Sequence, residues 1–209
     1  MRVWTISWQE GTGGDAVGRR LAEEAGVRLV EDDVVASVAA AQGLDVEHMC
    51  AFERHLPGRL LEFGLTMAMT AGHSAEAAAE LRRAKTTREL TEIAIREAAR
   101  EPCVILGRAG FAILRAHPGA LHIRLHAPLE WRVREFARTN FMPLERARRL
   151  VVSDDRARET YVRRLYGLDV HDDENFDLVW DASRIAPETI VEMALVAAHR
   201  HGLSAVARA

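Results

Sequence analysis

The chain contains almost no lysine. Of its 28 basic residues only Lys85 is a lysine, and the others are arginines. Any task that needs a bound cation therefore falls to arginine, whose planar guanidinium offers a fork of donors suited to phosphate. The formal net charge of −3 gives no overall attraction to nucleic acid or to an anionic membrane surface. We therefore expect a small-molecule ligand, with neither nucleic acid nor membrane as a partner.

Cysteine and long apolar runs are scarce as well. The two cysteines, Cys50 and Cys103, are too few for a disulfide framework or a metal cluster, and Cys103 begins an apolar run that predicts its burial. His122 and His126 share one face of a predicted strand without a third ligand, so we expect no zinc site. No apolar run approaches the roughly 20 residues that span a bilayer, and we recognise no signal peptide. These absences favour a soluble cytoplasmic protein.

The sequence does contain an alternation of apolar strands and amphipathic helices. The length of 209 residues fits one domain. Alternating strands and helices predict an α/β protein whose parallel sheet is covered on both faces. The predicted strands are Arg2–Ser7, Val27–Glu31, Cys103–Gly107, Ala120–His126 and Asp177–Asp181. Four helices are predicted. They cover Gly14–Ala25, Thr87–Arg100, a segment that starts at Pro128, and a segment from Pro187 to about His201.

Two segments do not fit a minimal strand–helix–strand step. Residues 32–86 are rich in alanine and methionine, and they predict several helices inserted between the second and third strands. The apolar helices predicted at 57–72 offer a surface for a second copy of the chain, which would make a homodimer. Residues 141–176 form an irregular, highly charged segment between the fourth and fifth strands. We predict one domain, residues 1–209, that carries both segments.

A glycine-rich loop, EGTGGDAVG, follows the first predicted strand and opens the first predicted helix. A helix start has unpaired N–H groups and about half a positive charge, and glycines let a phosphate approach closely. A full P-loop reads G-x-x-x-x-G-K-[ST]. Here Gly14 stands at the lysine position, and Asp15 and Ala16 stand where a hydroxyl residue is expected. The loop alone leaves two interpretations open: a phosphate cradle without its cation, or a tight strand-to-helix turn.

Five segments are informative when they are taken together. They read GTGGDAVGRRLA, PCVILGRAGFAIL, LHIRLHAPLEWRVR, DDRARETYVRRLYGLDV and NFDLVWDASR. Their order and spacing resemble the cytidylate kinase-like family, a divergent branch of the P-loop nucleoside monophosphate kinases whose loop typically lacks the lysine. The resemblance implies a P-loop NTPase-like three-layer sandwich of the adenylate-kinase type, with a five-stranded parallel sheet. It also implies a helical substrate-binding insertion at 32–86 and an arginine-bearing lid at 141–176.

The resemblance implies roles for individual residues of the loop and the third strand. Four loop residues match the family's cradle for the donor phosphates: Gly11, Thr12, Gly13 and Gly14. Arg108 matches an arginine that faces the acceptor phosphate in relatives. Its position after a strand supports the same role, because ligands bind at the carboxyl ends of parallel strands.

Arginines are concentrated between the fourth and fifth strands. Ten lie between Pro128 and Gly167. A phosphoryl-transfer transition state spreads negative charge over its equatorial oxygens, and positioned cations stabilise that charge. Most of these arginines are expected on a solvated helix face, where they pair with nearby acids. The four that resemble the family's catalytic positions are Arg132, Arg158, Arg163 and Arg164.

The residues that follow the second strand depart from the family. Relatives often have Tyr-Asp-Arg-Glu where this chain has Val30, Glu31, Asp32 and Asp33. We assign Asp32, which stands in place of the arginine, to the acceptor site. Carboxylates oppose an anionic substrate there unless Mg²⁺ lies between them. The alternative is that Asp32 or Asp33 caps the next helix, a role worth about 1 kcal/mol.

Two functions from different classes follow from these observations. The first is a phosphotransferase that uses ATP with nucleotide-bound Mg²⁺ and acts on a pyrimidine nucleoside monophosphate or a similar small acceptor. The second is a non-catalytic module that binds a nucleotide or another phosphorylated ligand as a sensor. The missing lysine and the missing hydroxyl favour the second function, and a fold by itself does not decide between them.

Overall fold

A computed structural model of the chain describes residues 3–31 and 88–201. All of these except residues 88–94 belong to one compact unit. The strands are β1 (Val3–Trp8), β2 (Arg28–Val30), β3 (Cys103–Leu106), β4 (Ala120–His126) and β5 (Leu178–Asp181). The helices are α1 (Gly14–Ala25), α2 (described over residues 88–98), α3 (Gly110–Ile113), α4 (Leu129–Thr139), α5 (Leu144–Tyr166) and α6 (Pro187–His201), with a 3-10 helix at Asp173–Asn175.

The strands form one five-stranded sheet in the order β2-β3-β1-β4-β5, and every neighbouring pair is parallel. The predicted five-stranded parallel sheet is therefore confirmed. The strand β1 lies at its centre, and the chain leaves it toward β2 on one side before it returns to β4 on the other. Such a reversal of strand order opens a crevice at the carboxyl end of the central strand. The loop after β1 lies at this point.

The central strands are buried because helices cover both faces of a parallel sheet. On one face Trp4 and Ile6 of β1 pack with residues of α1 and α6, including Leu21 and Val191, in a large apolar cluster. The opposite face carries a row of buried polar side chains along β1 and β4. These are Thr5, Ser7, His122 and Arg124. Hydrocarbon packing therefore holds one face, whereas hydrogen bonds hold part of the other.

Cys103 occupies the start of β3 and is fully buried, as predicted. Burial raises the pKa of its thiol to about 11, because a thiolate is poorly solvated in apolar surroundings. Its Sγ donates to the carbonyl oxygen of Ala98 at 3.5 Å. The residue acts as a small core side chain and not as a reactive thiol.

The segment predicted as irregular at 141–176 contains a long helix, α5, over Leu144–Tyr166. Its charged residues conceal the helical period, because only four of its side chains are buried. They are Ala147, Val151, Tyr161 and Val162. The first two pack against Val133 and Ala137 of α4, so α4 and α5 form a helical hairpin.

Some predicted features lie outside the described residues. These include the whole insertion at 32–86, with Asp32 and the apolar helices at 57–72. Within residues 3–31 and 88–201, no helix is both long enough and apolar enough to cross a membrane.

The helix α1 has a left-handed residue at each end, and both residues are glycines. Gly13 precedes it with φ 74°, and Gly26 ends it with φ 64°. A Cβ atom added at either position would meet nothing within 4 Å. Substitution at either glycine would therefore be opposed by backbone strain and not by a clash.

We expect Gly26→Ala to lower the free energy of unfolding by about 1 kcal/mol, because alanine must adopt the left-handed conformation that ends α1. Urea denaturation followed by circular dichroism measures this loss. An unchanged midpoint and slope would contradict the assigned strain.

Candidate functional site

The loop between β1 and α1 presents backbone groups at an exposed edge. The first helical hydrogen bond of α1 runs from the Val17 N–H to the Gly13 carbonyl oxygen, at 3.0 Å. The amides of Gly14, Asp15 and Ala16 therefore precede the helical ladder, and no described side chain caps them. Gly13 itself is exposed. These amides, with the partial positive charge of the helix start, are suited to bind an anion.

The first half of the loop is packed instead of open. Thr12 is buried, and its hydroxyl donates to the Gln9 carbonyl oxygen at 2.7 Å. The predicted phosphate-binding residue Thr12 thus shapes the loop with its side chain. Gly11 has φ 85°, and a Cβ atom there would lie 2.5 Å from the Arg132 carbonyl oxygen. Only glycine lets α4 approach the loop this closely.

Arg132 of α4 and Asp155 of α5 form a buried ion pair against the loop. The Nη1 of Arg132 lies 2.6 Å from Oδ2 of Asp155, and the two side chains are 6% and 14% exposed. The same Nη1 donates to the Glu10 carbonyl oxygen at 2.9 Å, and Nε donates to the Ala127 carbonyl oxygen at 3.0 Å. The other carboxylate oxygen of Asp155 accepts the Glu10 N–H at 2.8 Å. The Glu10 residue is thus held at both of its backbone polar groups.

Arg158, one turn further along α5, contacts the same loop from its more exposed side. Its Nη1 donates to the Trp8 carbonyl oxygen at 2.7 Å, and its Nη2 lies 3.3 Å from Oε2 of Glu10. Its guanidinium carbon lies 5.0 Å from the centre of the Trp8 ring, within cation–π range. The side chain is 27% exposed, so it is reachable from solvent. The structure therefore brings Arg132 and Arg158 to the loop in different ways, one buried and one accessible.

Trp8 joins several parts of the site, although the sequence analysis did not select it. A Cβ atom at Gly14 would collide with the Trp8 side chain, and one at Gly107 would lie 3.7 Å from its ring. The indole therefore lies near the start of α1, the turn after β3 and the Arg158 guanidinium. A tryptophan at the last position of the strand before a glycine loop was the signal available in the sequence.

The turn after β3 is backbone-strained. Gly107, Arg108 and Ala109 have φ values of 65°, 52° and 52°, so three successive residues are left-handed. For the two that are not glycine this costs about 1 kcal/mol or more each. The Gly107 N–H donates to the Ile6 carbonyl oxygen at 2.9 Å, which ties the turn to β1. Arg108 is thus placed, half-buried, at the same sheet edge as the glycine loop.

Arg163 and Arg164 lie in the last turn of α5. They follow Arg158 by five and six residues, which is about 8–9 Å along the helix axis. Arg163 is exposed and Arg164 is half-buried. Cations at this end also complement the helix dipole, so their position serves the helix whether or not they contact a ligand.

A small cleft opens beside Arg158, between β1, β4, α5 and the segment that follows α5. Its wall includes an ionic network in which Arg124 of β4 bonds Asp173 and lies 3.1 Å from Nδ1 of His171. The Nε2 of His171 lies 2.7 Å from Oε1 of Glu159. Because a guanidinium can only donate, Nδ1 accepts and the ring proton belongs on Nε2, facing Glu159. The network therefore ties α5 to the central sheet.

Comparison with known proteins places this chain in a family. The model of the cytidylate kinase-like family matches residues 3–184. A cytidylate kinase from Ignicoccus hospitalis is 33% identical over 93 residues, which are 41% of this chain and 54% of that protein. A uronate isomerase from Corynebacterium glutamicum is 34% identical over 90 residues, 43% of this chain and 17% of that protein. The chain thus spans about half the length of the first of these curated relatives and less of the second.

Among solved structures, an uncharacterized protein from Eubacterium ventriosum superposes with a TM-score of 0.68. The alignment covers 95% of this chain and 99% of that one at 15% identity, a likeness that shows the fold alone. The strand order and the glycine loop agree with the predicted adenylate-kinase-like architecture, which is confirmed. With a family match over residues 3–184, the chain belongs to the cytidylate kinase-like family.

Proposed function

We propose that the chain transfers the γ-phosphate of ATP to a small acceptor, a pyrimidine nucleoside monophosphate or a compound of similar size. The open half of the loop, Gly13 with the first amides of α1, carries this proposal. It lies at the carboxyl end of the central strand, where it can receive the donor phosphates. Membership of a kinase-like family supports a nucleotide as the donor.

The positive charge that a P-loop lysine supplies comes from arginine in this proposal. Arg158 offers an accessible guanidinium beside the loop, since it bonds the Trp8 carbonyl oxygen. It would bind the transferring phosphoryl group, with Arg163 and Arg164 approaching from the end of the same helix. Arg132 is buried and bound to backbone carbonyls, so its role is to position the loop. A single well-placed arginine is worth about 10³–10⁵ in rate in such reactions.

The acceptor would approach from the side of Arg108. Its strained turn lies beside β1, so Arg108 follows β3 at the edge that also holds the glycine loop. Strain of this kind persists at functional sites because it fixes a side chain in place. Asp32, the other residue assigned to the acceptor, keeps that assignment as a prediction from the sequence.

The loop offers little to a metal ion by itself. The Thr12 side chain is buried, with its hydroxyl donating to the Gln9 carbonyl oxygen, whereas the Asp15 carboxylate is exposed in the first turn of α1. Mg²⁺ would therefore arrive with ATP, where it neutralises phosphate charge, and Asp15 is the loop carboxylate that could contact it. An acceptor phosphate is already an anion, so its oxygen attacks the γ-phosphorus, the bond to the β-phosphate oxygen breaks, and ADP leaves without a general base.

One observation favours the second function, a binding module without turnover. The Glu10 carboxylate lies 3.3 Å from Arg158, so an internal anion contacts the cation that catalysis would use. Together with glycine at the lysine position, this arrangement is compatible with a site that binds phosphate and does no chemistry. The kinase and a nucleotide-binding module both bind ATP, and turnover separates them.

We expect ADP to form from ATP and Mg²⁺ when a pyrimidine nucleoside monophosphate is added, and not with ATP alone. A coupled assay across the nucleoside monophosphates, with phosphorus NMR of the product, measures the transfer. Binding of ATP without ADP formation in any of these mixtures would reject a nucleoside monophosphate kinase and favour the binding module.

We expect Gly13→Ala to weaken ATP binding at least tenfold, because a Cβ atom at this exposed position intrudes between the anion and the loop amides. The matched control is Gly26→Ala, which imposes the same left-handed strain at the other end of α1. Titration calorimetry and urea denaturation measure affinity and stability for both variants. Equal affinities in the two variants would show that the loop is only a turn.

A further inference from the structure

The backbone of the glycine loop is hydrogen-bonded to a side chain of the helix α5. Glu10 is the loop residue held there, with its N–H on Oδ1 of Asp155 at 2.8 Å and its carbonyl oxygen on Nη1 of Arg132 at 2.9 Å. The two side chains bond each other at 2.6 Å, which closes a ring of hydrogen bonds around this residue. Both amide and carbonyl of one residue are therefore oriented by a single ion pair.

This ion pair is too costly to be explained as a chance surface contact. Both side chains are largely removed from water, and desolvating two charges offsets much of their attraction. Burial of a pair is repaid only when the remaining donors and acceptors are bonded. Here they are bonded to loop and strand-end backbone, namely the Glu10 N–H and the carbonyl oxygens of Glu10 and Ala127.

The attachment acts on the part of the loop that must hold its shape. Gly11, next to the clamped Glu10, is left-handed and contacts the backbone of Arg132. Two residues later Gly13 is exposed and uncovered. A rotation of the Glu10 peptide groups would change the orientation of the amides that begin α1. Holding Glu10 in place therefore also holds the exposed end of the loop at Gly13, and it leaves that end open to a ligand.

We propose that Asp155 is a positioning residue that holds the glycine loop in its anion-binding shape and couples that shape to the helix α5. The inference rests on the proposed nucleotide-binding function and names a residue for it whose carboxylate contacts the Glu10 backbone and Arg132. A P-loop lysine helps to order bound phosphates by its charge. In this chain, where that lysine is absent, the backbone must be ordered beforehand, and Asp155 orders it.

The same geometry ties Asp155 to the arginine that would bind the phosphoryl group. Arg158 lies one turn away on α5, with its Nη1 3.8 Å from Oδ1 of Asp155. Because both residues belong to one helix, a shift of α5 moves the Asp155 carboxylate, which holds Glu10, together with Arg158. The shape of the loop and the approach of Arg158 are thus set by a single rigid element.

The test compares Asp155→Asn with Asp177→Asn. The Asp177 carboxylate is the matched control, because its Oδ2 accepts the His122 N–H at the same 2.8 Å. Asp177 lies just before the amino end of β5, whereas the glycine loop follows the carboxyl end of β1. Both substitutions remove the charge of an acid that accepts a backbone N–H, and Asp155 also pairs with Arg132. We expect both to lower stability, and only Asp155→Asn to raise the dissociation constants of ATP and of inorganic tripolyphosphate, by about tenfold or more.

The Michaelis constants for the two substrates separate a positioning role from a loss of stability, because lost stability alone does not change one of them selectively. We expect Asp155→Asn to raise the KM for ATP while the KM for the acceptor stays within about twofold, at a temperature where both variants are folded. Asp155→Glu retains the charge but displaces the carboxylate by one methylene group, so it folds even where Asp155→Asn does not. We expect it to weaken tripolyphosphate binding at least threefold.

The outcomes separate the inference from the function on which it rests. If the wild-type protein binds neither ATP nor tripolyphosphate, the proposed function is wrong and the inference is overturned with it. If the wild-type protein binds and the folded Asp155 variants bind equally well, the positioning role is overturned while the function stands. Equal losses of affinity in the Asp155 and Asp177 variants would also overturn it, since the effect would then be general destabilisation.

Discussion

The proposed function depends on a backbone that must present its amides to an anion without help from a lysine. Peptide N–H groups are weak partial charges, and they bind phosphate well only when several point into one concavity. Such convergence is entropically costly in a glycine-rich loop, because glycine loses more conformational freedom on folding than any other residue. The hydrogen bonds to Glu10 from α4 and α5 reduce that freedom at one end of the loop. The helix α1 fixes the other end at Gly13.

The two arginines that contact the loop differ in burial, and burial decides which of them could bind a ligand. Arg132 is 6% exposed in its side chain and Arg158 is 27% exposed. A buried guanidinium with bonded carbonyls cannot leave them for a ligand without a large desolvation cost. An accessible one can exchange Glu10 for phosphate, since a solvent-accessible ion pair at 3.3 Å, with side chains 27% and 23% exposed, contributes little. A phosphate carries more charge than one carboxylate, so the exchange favours the ligand.

Much of the fold could be predicted because its buried strands appear as short runs rich in apolar residues. The runs at β3 and β4 matched the observed strands within one residue, and the glycines around α1 marked its ends. The helix α5 was missed, since its few buried side chains are separated by charged residues. Asp155 was missed for a different reason. It is one of many acids near arginines, and only tertiary packing shows that it faces the loop backbone.

The strained turn after β3 bears on whether the site does chemistry. A module that only held nucleotide phosphates on the loop would have no use for two non-glycine residues in left-handed conformation at Arg108 and Ala109. Each costs about 1 kcal/mol or more, and glycine at these positions would remove the cost. Retaining arginine there makes sense if its guanidinium must face a second ligand beside the first. A site for two ligands at one sheet edge is what transfer between them requires, and this favours the phosphotransferase over the sensor.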